Sequence, residues 1–193
     1  LTVVVPCYNE AQRLDAGPLL EFAVEGAGAD ILFVNDGSTD DTAGRLAEIA
    51  AARPDRVRVL SLELNGGKAE AVRRGMLDAL DAGAVTVGYL DADLSTPPRE
   101  LKRIGRALDR PGVEVAIGSR VALLGTDIEL LGRMLAGGNG AAPVPLKAIV
   151  EVPLDTWHDI KGSKLTPVAM GRTLLELGRI GLDLAARRRA ATR

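Results

Sequence analysis

The chain has 193 residues, of which 47% are hydrophobic and 26% are charged, a balance typical of one globular domain with a core of its own. Its formal net charge of −2 gives no generally basic surface and argues against nucleic acid as a partner. The single cysteine, Cys7, excludes an internal disulfide, and no run of about 20 apolar residues predicts a membrane-spanning helix.

Short apolar runs alternate with amphipathic segments through the first two thirds of the chain, which is typical of a parallel sheet covered by helices. Five of these runs are nearly continuous in apolar residues, as strands buried on both faces are. They cover residues 1–6, 31–35, 57–62, 85–90 and 113–117. We therefore predict an α/β fold with a Rossmann-like, mostly parallel sheet flanked by helices on both faces.

Helices are expected between the strands. The clearest begins after Gly37, with Ser38 as its cap, and its predicted buried face consists of Ala43, Leu46, Ala47 and Ala50. The second covers residues 67–80, with a predicted buried face of Ala69, Val72, Met76, Ala79 and Leu80. A third follows Pro97-Pro98, since proline suits a helix start.

The regular alternation stops after residue 120. Residues 128–136 have a helical pattern, residues 148–154 could form one more strand, and a long helix is predicted from residue 166 to the end. That last helix ends in several arginines, and two interpretations of it stay open. It packs on its own domain, or it lies as a basic amphipathic helix on anionic lipid.

Polar residues follow four of the five predicted strands. In an open parallel sheet, ligands bind at the carboxyl ends of the strands, so we expect these residues to converge on one site. The polar segments are Tyr8-Asn9-Glu10, Asn35-Asp36-Gly37-Ser38, Asp91-Ala92-Asp93 and Gly118-Ser119-Arg120.

Asp91 and Asp93 are the candidate metal ligands. Carboxylate oxygens suit hard cations such as Mg²⁺ or Mn²⁺, and a cation at this place would bridge to phosphate. An isolated Asp-x-Asp triplet is more often a turn or a helix cap. The other polar strand ends favour the metal interpretation here.

Other candidates each have a structural alternative. Asp36 is either the acid of an Asp-Gly turn or an acceptor for a nucleobase or ribose. Gly66-Gly67-Lys68 either shapes a turn or offers backbone N–H groups and an ammonium to a diphosphate. Cys7 and His158 are interpreted as packing and surface residues without a chemical role.

Taken together, these motifs resemble those of the family 2 glycosyltransferases of GT-A fold. Within that family the chain resembles the dolichyl-phosphate glucosyltransferase and polyprenyl-phosphate glycosyltransferase branch. The matching segments, in the family's order, are residues 3–10 (VVVPCYNE), 34–40 (VNDGSTD), 65–68 (NGGK), 91–93 (DAD) and 118–120 (GSR), with a late signature in 151–154 (EVPL), Trp157 and 162–165 (GSKL).

The resemblance implies an inverting enzyme that moves a hexose, with glucose expected, from a UDP-sugar to a polyprenyl or dolichyl phosphate. It implies Mg²⁺ or Mn²⁺ as cofactor, held by Asp91 and Asp93. Asp93 and Arg120 would be the catalytic residues, with Arg120 and Lys164 facing the acceptor phosphate. The implied donor-binding residues are Pro6, Tyr8, Asn9, Glu10, Asp36, Lys68, Asp91 and Ala92.

The same resemblance predicts a longer acceptor region than this chain has. In the family, several dozen residues separate the Gly-Ser-Arg strand from a later helix, whereas here residues 124–127 (LGTD) run directly into 128–131 (IELL). We therefore expect one domain, 1–193, with a nucleotide-sugar-binding half at 1–120. Residues 121–193 would be the remnant of an acceptor half, with a gap near 127/128.

Two other functions stay open at this point. One is a soluble glycosyltransferase with a small phosphorylated or hydroxyl acceptor, and the other is a noncatalytic nucleotide-sugar-binding module. A cytoplasmic location is expected, with peripheral contact at the cytoplasmic membrane face if the acceptor is a lipid. The chain opens at Leu1 in a strand-like run rather than a signal sequence, and an anchor ahead of Leu1 is left open.

Overall fold

The computed structural model describes residues 1–25, 28–119 and 144–158. Their contacts divide the chain into two compact units. The first consists of Leu1–Leu101 with Thr156–Asp159, and the second of Lys102–Asp155 with Ile160–Arg193. Each unit is described by itself.

The first unit is built on a four-stranded parallel sheet in the order β3-β2-β1-β4. The strands are β1 (Thr2–Cys7), β2 (Asp30–Asp36), β3 (Val57–Leu62) and β4 (Val87–Tyr89). The first three agree with the predicted strands to within one residue at each end, and β4 is shorter. Because the sheet is parallel, all four carboxyl ends lie along one edge.

The described residues contain four α-helices, placed between and after the strands as the sequence predicts. They are α1 (Gly17–Val24), α2 (Thr42–Ala52), α3 (Lys68–Asp81) and α4 (Pro98–Gly105), and a short 3₁₀ turn, Arg106–Asp109, continues from α4. The predicted starts of α3 and α4 are correct to within one residue. The crossover β1-α1-β2-α2-β3 is the repeated βαβ unit of an open α/β sheet.

Two apolar clusters cover the two faces of this sheet. On one face Val3, Val5, Ile31 and Phe33 pack with residues of α1 and α2, including the fully buried Leu19 and Leu46. On the other face Val4, Leu32 and Val34 pack with Ala71 and Ala79 of α3. Alternate strand residues therefore face opposite cores, and the predicted arrangement of helices on both faces is confirmed.

The details of α2 and α3 differ from the sequence prediction. Ala43 and Ala47 are exposed, whereas Thr42, Leu46 and Ile49 form the buried face of α2. Leu80 of α3 is 48% exposed. Ser38 does not cap α2, because its hydroxyl accepts the Asn9 N–H and the Thr42 N–H is bound instead by Asp40. Small alanines fit either side of a helix, so their spacing fixed its phase poorly.

The second unit contains a separate sheet. Here β5 (Val115–Ser119) pairs in parallel with β6 (Ile149–Pro153), which confirms the extra strand predicted near residues 148–154. The expectation that β5 extends the first sheet is wrong for the described residues, because its hydrogen-bonded neighbour is β6. An apolar run identifies a strand but does not specify its partner. Within the second unit, Arg103 pairs with Asp155 and its guanidinium donates to the Pro153 carbonyl.

Several expectations fall outside the described residues. These are the helix at 128–136, the terminal helix from 166, and the shortened region near 127/128. The division of the chain at residue 120 stays a prediction. Within the part of the chain that is described, no helix combines the length and the apolar character needed to cross a bilayer.

Close packing of α3 on the sheet gives a first testable prediction. A Cβ added at Gly75 would lie 2.5 Å from Val4 Cγ1 and 2.7 Å from Val34 Cγ2, and overpacking of this kind costs about 1–3 kcal/mol. That exceeds the gain of at most about 1 kcal/mol from helix propensity. We expect Gly75→Ala to lower the free energy of unfolding by about 1 kcal/mol, measured by urea denaturation.

Gly105→Ala is the matched control for this substitution. Apart from its own chain neighbours, the described residues place no atom within 4 Å of its added Cβ. Its φ of −57° is helical, so this variant should not lose stability. Equal stability of the two variants would contradict the close approach of α3 to β1 and β2.

Candidate functional site

The loop after β1 is held against the loop after β2 by the side chain of Asn9. Its Oδ1 accepts the Thr39 N–H at 2.9 Å, and its own N–H donates to Ser38 Oγ at 3.1 Å. Asn9 adopts a left-handed φ of 53°, a conformation that asparagine tolerates better than most residues. The predicted donor-binding residue Asn9 thus uses its amide oxygen to join the ends of β1 and β2.

A second set of contacts joins the same two loops. The Glu10 N–H donates to Thr42 Oγ1 at 2.8 Å, and the Ala11 N–H donates to Asp40 Oδ2 at 3.3 Å. The Thr42 hydroxyl in turn donates to Asp40, and this bond is the main reason that the pKa of Asp40 lies below its usual value. Glu10 itself pairs with Arg13 at 2.6 Å. These bonds fix the shape of the sheet edge.

Asp36 is 2% exposed and binds the loop that leads into α3. Its carboxylate accepts the Gly66 N–H at 2.8 Å, the Gly67 N–H at 2.9 Å and the Asn65 amide at 3.1 Å. A carboxylate offers about four acceptor positions, so about one remains for a ligand. Its prediction as a nucleobase or ribose acceptor stays a prediction, and a further function of Asp36 is to fix this loop.

The glycine after Asp36 allows the loop after β2 to approach the loop that leads into α3. Gly37 has a φ of +62°, and a Cβ there would lie 2.5 Å from the Asn65 backbone nitrogen. A residue with a side chain would meet both the strain of the left-handed region and this contact. The Asp-Gly turn and the acceptor interpretation of Asp36 are therefore compatible.

Lys68, the first residue of α3, faces the end of β4. Its Nζ lies 2.7 Å from Asp91 Oδ1 and 5.6 Å from the centre of the Tyr89 ring, within the range of a cation–π contact. About a third of each charged side chain is exposed. The structure thus brings together Lys68 and Asp91, two residues that the sequence assigned to the donor and the metal.

The rest of the Asp91-Ala92-Asp93 triplet forms a turn. Asp93 is exposed, and its Oδ1 accepts the Ser95 N–H at 2.9 Å, while Leu94 takes a left-handed φ of 54°. The side chain of Ala92 is 7% exposed and belongs to the core cluster of α1 and α2. Any contact of Ala92 with a donor would therefore be made by its main chain.

The two acids provide an incomplete oxygen shell for a cation. In the described ranges, no group of three or more His, Cys, Asp or Glu side chains is placed to hold a metal. Mg²⁺ typically takes one or two protein carboxylates and completes its shell with phosphate oxygens and water. That pattern needs only one or two carboxylates from the protein, and Asp91 and Asp93 are the candidates for them.

The remaining predicted residues are placed as follows. Tyr8 is 40% exposed at the end of β1 and Pro6 is half-buried within it. Burial raises the pKa of the Cys7 thiol to about 12, which agrees with a packing function rather than a nucleophilic one. His158 is exposed and its N–H donates to the Ser95 carbonyl. Arg120 and Lys164 lie outside the described residues.

Four residues that shape this edge were not identified as site residues from the sequence. Asn65 binds Asp36, Asp40 and Thr42 join the β1 and β2 loops, and Tyr89 lies below Lys68. Asn65 and Asp40 stood within the matching segments, which was the available signal. The sequence gives no such signal for Tyr89, because its contact with Lys68 depends on how α3 packs beside β4.

Removal of the Asp36 carboxylate should destabilise the chain. Asp36→Ala leaves the Gly66 and Gly67 N–H groups and the Asn65 amide without their acceptor, and we expect a loss of about 2 kcal/mol in the free energy of unfolding. Asp30→Ala is the control, since Asp30 is exposed and forms only a surface ion pair with Arg56, worth at most about 1 kcal/mol. Urea denaturation measures both, and a loss for Asp36→Ala no larger than the control's would contradict the described contacts.

Comparison with known proteins finds relatives for most of the chain. The profile of the family described as "Glycosyl transferase family 2" matches residues 2–130. The polyprenol monophosphomannose synthase of Mycolicibacterium smegmatis is 39% identical over 126 residues, which cover 64% of this chain and 46% of that protein. The dolichyl-phosphate beta-glucosyltransferase of Dictyostelium discoideum is 30% identical over 140 residues, covering 66% of this chain and 42% of that one.

A solved structure shows the same architecture. The mannosyltransferase PcManGT from Pyrobaculum calidifontis, in complex with GDP-Man and Mn²⁺, superposes with a TM-score of 0.50 at 27% identity, over 62% of this chain and 35% of that one. The predicted GT-A fold is confirmed. This chain spans less than half the length of these relatives. The profile covers most of the chain, including the sheet edge that carries Asp36, Lys68 and Asp91, and the chain therefore belongs to glycosyl transferase family 2.

Proposed function

We propose that this chain carries the nucleotide-sugar half of an inverting glycosyltransferase that moves a hexose to a polyprenyl or dolichyl phosphate. The observation that carries the proposal is the placement of Lys68, at the start of α3, 2.7 Å from Asp91 at the end of β4. A lysine at a helix N-terminus attracts phosphate, and carboxylates attract the cation that accompanies a diphosphate. One sheet edge thus offers partners to both.

Asp91 and Asp93 would hold the cation, Mg²⁺ or Mn²⁺. Bound there, the cation would neutralise negative charge on the departing nucleoside diphosphate. The Pyrobaculum mannosyltransferase, whose structure contains GDP-Man and Mn²⁺, supports a divalent cation for this chain as well. Asp93 is the more accessible ligand, because its side chain is exposed. Its Oδ1 accepts the Ser95 N–H, which leaves Oδ2 for the cation.

The other donor contacts would come from the neighbouring strand ends. Lys68 would meet the diphosphate, and the remaining acceptor position of Asp36 would take a donor group of the base or ribose. The exposed ring of Tyr8 would lie against the base. Pro6, Asn9, Glu10 and Ala92 would line the same site, with Asn9 and Ala92 contributing main-chain atoms because their side chains are occupied elsewhere.

UDP-glucose is the proposed donor and GDP-mannose its main competitor. The sequence resemblance favours glucose, and the Dictyostelium relative is a dolichyl-phosphate beta-glucosyltransferase. The Mycolicibacterium relative is a polyprenol monophosphomannose synthase, and the Pyrobaculum protein was solved with GDP-Man. Direct comparison of the two donors distinguishes them.

On the acceptor side, Arg120 would grip the acceptor phosphate with two N–H groups, and Lys164 would add a second positive charge. A phosphate is already anionic, so it can attack the anomeric carbon and displace the nucleoside diphosphate with little need of a general base. Positioning and charge neutralisation, by Arg120 and Asp93 above all, would then supply most of the rate. A lipid acceptor would bring the protein into peripheral contact with a membrane.

A transfer assay tests this function. The protein is incubated with radiolabelled UDP-glucose or GDP-mannose, polyprenyl phosphate and Mn²⁺, and we expect label in the lipid phase from one donor, lost on addition of EDTA. Label found only in water-soluble product would replace the proposal with a soluble transferase. Donor binding without transfer or hydrolysis would replace it with a binding module.

Substitution of Asp93 tests the cation site. Asp93→Asn keeps an oxygen that can accept the Ser95 N–H but removes the charge, so the turn should persist while the cation is lost. We expect UDP binding in Mn²⁺ to weaken at least about tenfold, or about 1.4 kcal/mol, measured by calorimetry. Asp81→Asn, at the far end of α3, should bind UDP as the unchanged protein does, and equal affinities of all three proteins would refute the metal assignment.

A further inference from the structure

The ion pair between Lys68 and Asp91 has a consequence for the order in which ligands bind. The Asp91 Oδ1 atom is buried and accepts no hydrogen bond of regular geometry from the described residues. Its partner is the Lys68 ammonium at 2.7 Å. Lys68 therefore acts as the countercharge of this oxygen.

The position of Lys68 is itself supported by the surrounding residues. The Tyr89 ring lies 5.6 Å from its ammonium, and its backbone is fixed at the start of α3 by the Asp36 bonds to Gly66 and Gly67. The side chain, in contrast, is a flexible four-carbon stem with a freely rotating ammonium. Lys68 can thus exchange partners without movement of the helix.

A divalent cation bound at Asp91 would compete with the Lys68 ammonium for the same carboxylate. Mg²⁺ coordinates oxygen at about 2.0–2.1 Å. A cation on this carboxylate would therefore lie close to the ammonium, and the two positive charges would repel each other in a partly buried environment. The cation must displace Lys68 or bind weakly. A diphosphate supplies a new anionic partner for the displaced ammonium.

We propose that Lys68 is an exchangeable countercharge that couples cation binding to diphosphate binding. Without a nucleotide it pairs with Asp91 and weakens the binding of a cation there. When a nucleoside diphosphate is present, its ammonium moves to the phosphate oxygens. The cation and the nucleotide then bind with positive coupling, and each raises the affinity for the other by the same factor. This inference rests on the proposed function, since it uses Asp91 as a cation ligand.

Lys68→Met tests the coupling, because it keeps the length of the side chain and removes the charge. In a Mn²⁺ titration followed by electron paramagnetic resonance without nucleotide, we expect this variant to bind Mn²⁺ at least about fivefold more tightly than the unchanged protein. UDP binding without metal should weaken. The factor by which saturating UDP tightens Mn²⁺ binding should fall.

Three further variants separate this effect from simpler causes. Lys147→Met removes an exposed lysine and makes the same change in net charge, so it should leave Mn²⁺ affinity unchanged. Lys68→Arg keeps a countercharge and should restore weak binding of Mn²⁺ alone, which a purely structural change at this position would not do. Lys68→Gln replaces Lys68→Met if the latter does not fold, with the same expected result.

The outcomes also separate this inference from the proposed function. If the unchanged protein binds Mn²⁺ with UDP, but Lys68→Met binds Mn²⁺ alone no more tightly than Lys147→Met, the coupling is refuted and the cation site stands. If no variant binds Mn²⁺ with or without UDP, both the cation site and the coupling are refuted.

Discussion

The arrangement of the candidate site depends on one buried carboxylate. Asp36 closes β2 and accepts two backbone N–H groups and one amide from residues 65–67, so the start of α3 is fixed to the sheet edge. A buried carboxylate without such partners would be costly, which makes this loop conformation strongly preferred. Lys68 takes its place opposite Asp91 as a direct result.

The same sheet edge combines hydrogen-bonded loops with a partly exposed ion pair. The loops after β1 and β2 are joined by Asn9, Asp40 and Thr42 through bonds to backbone N–H groups, which hold the shape of the site. The ion pair between Lys68 of α3 and Asp91 after β4 is partly exposed. A preorganised frame beside partly exposed charged groups suits a ligand that carries both a diphosphate and a cation. The chain belongs to glycosyl transferase family 2, which favours a nucleotide sugar as the proposed ligand of this edge.

Much of this was predictable from the sequence, for physical reasons that differ between elements. Strands buried on both faces must be apolar throughout, so β1, β2 and β3 were located closely. Strand ends in a parallel sheet share an edge, so Asp36 and Asp91 were expected at one edge, where the parallel pairing of β2, β1 and β4 places them. The phase of α2 was misjudged because alanine fits buried and exposed positions alike. The partner of β5 and the contacts of Asp36 with residues about 30 positions away have no periodicity in the sequence, and only the folded structure reveals them.

We propose that the edge formed by Asp36, Lys68, Asp91 and Asp93 binds a nucleoside diphosphate together with a divalent cation. A crystal structure of the protein grown with UDP and Mn²⁺ tests this binding through the anomalous signal of manganese. We expect a manganese peak within coordinating distance of Asp91 and Asp93, with the diphosphate between this peak and Lys68. A nucleotide bound elsewhere, or a manganese peak away from both aspartates, would contradict it.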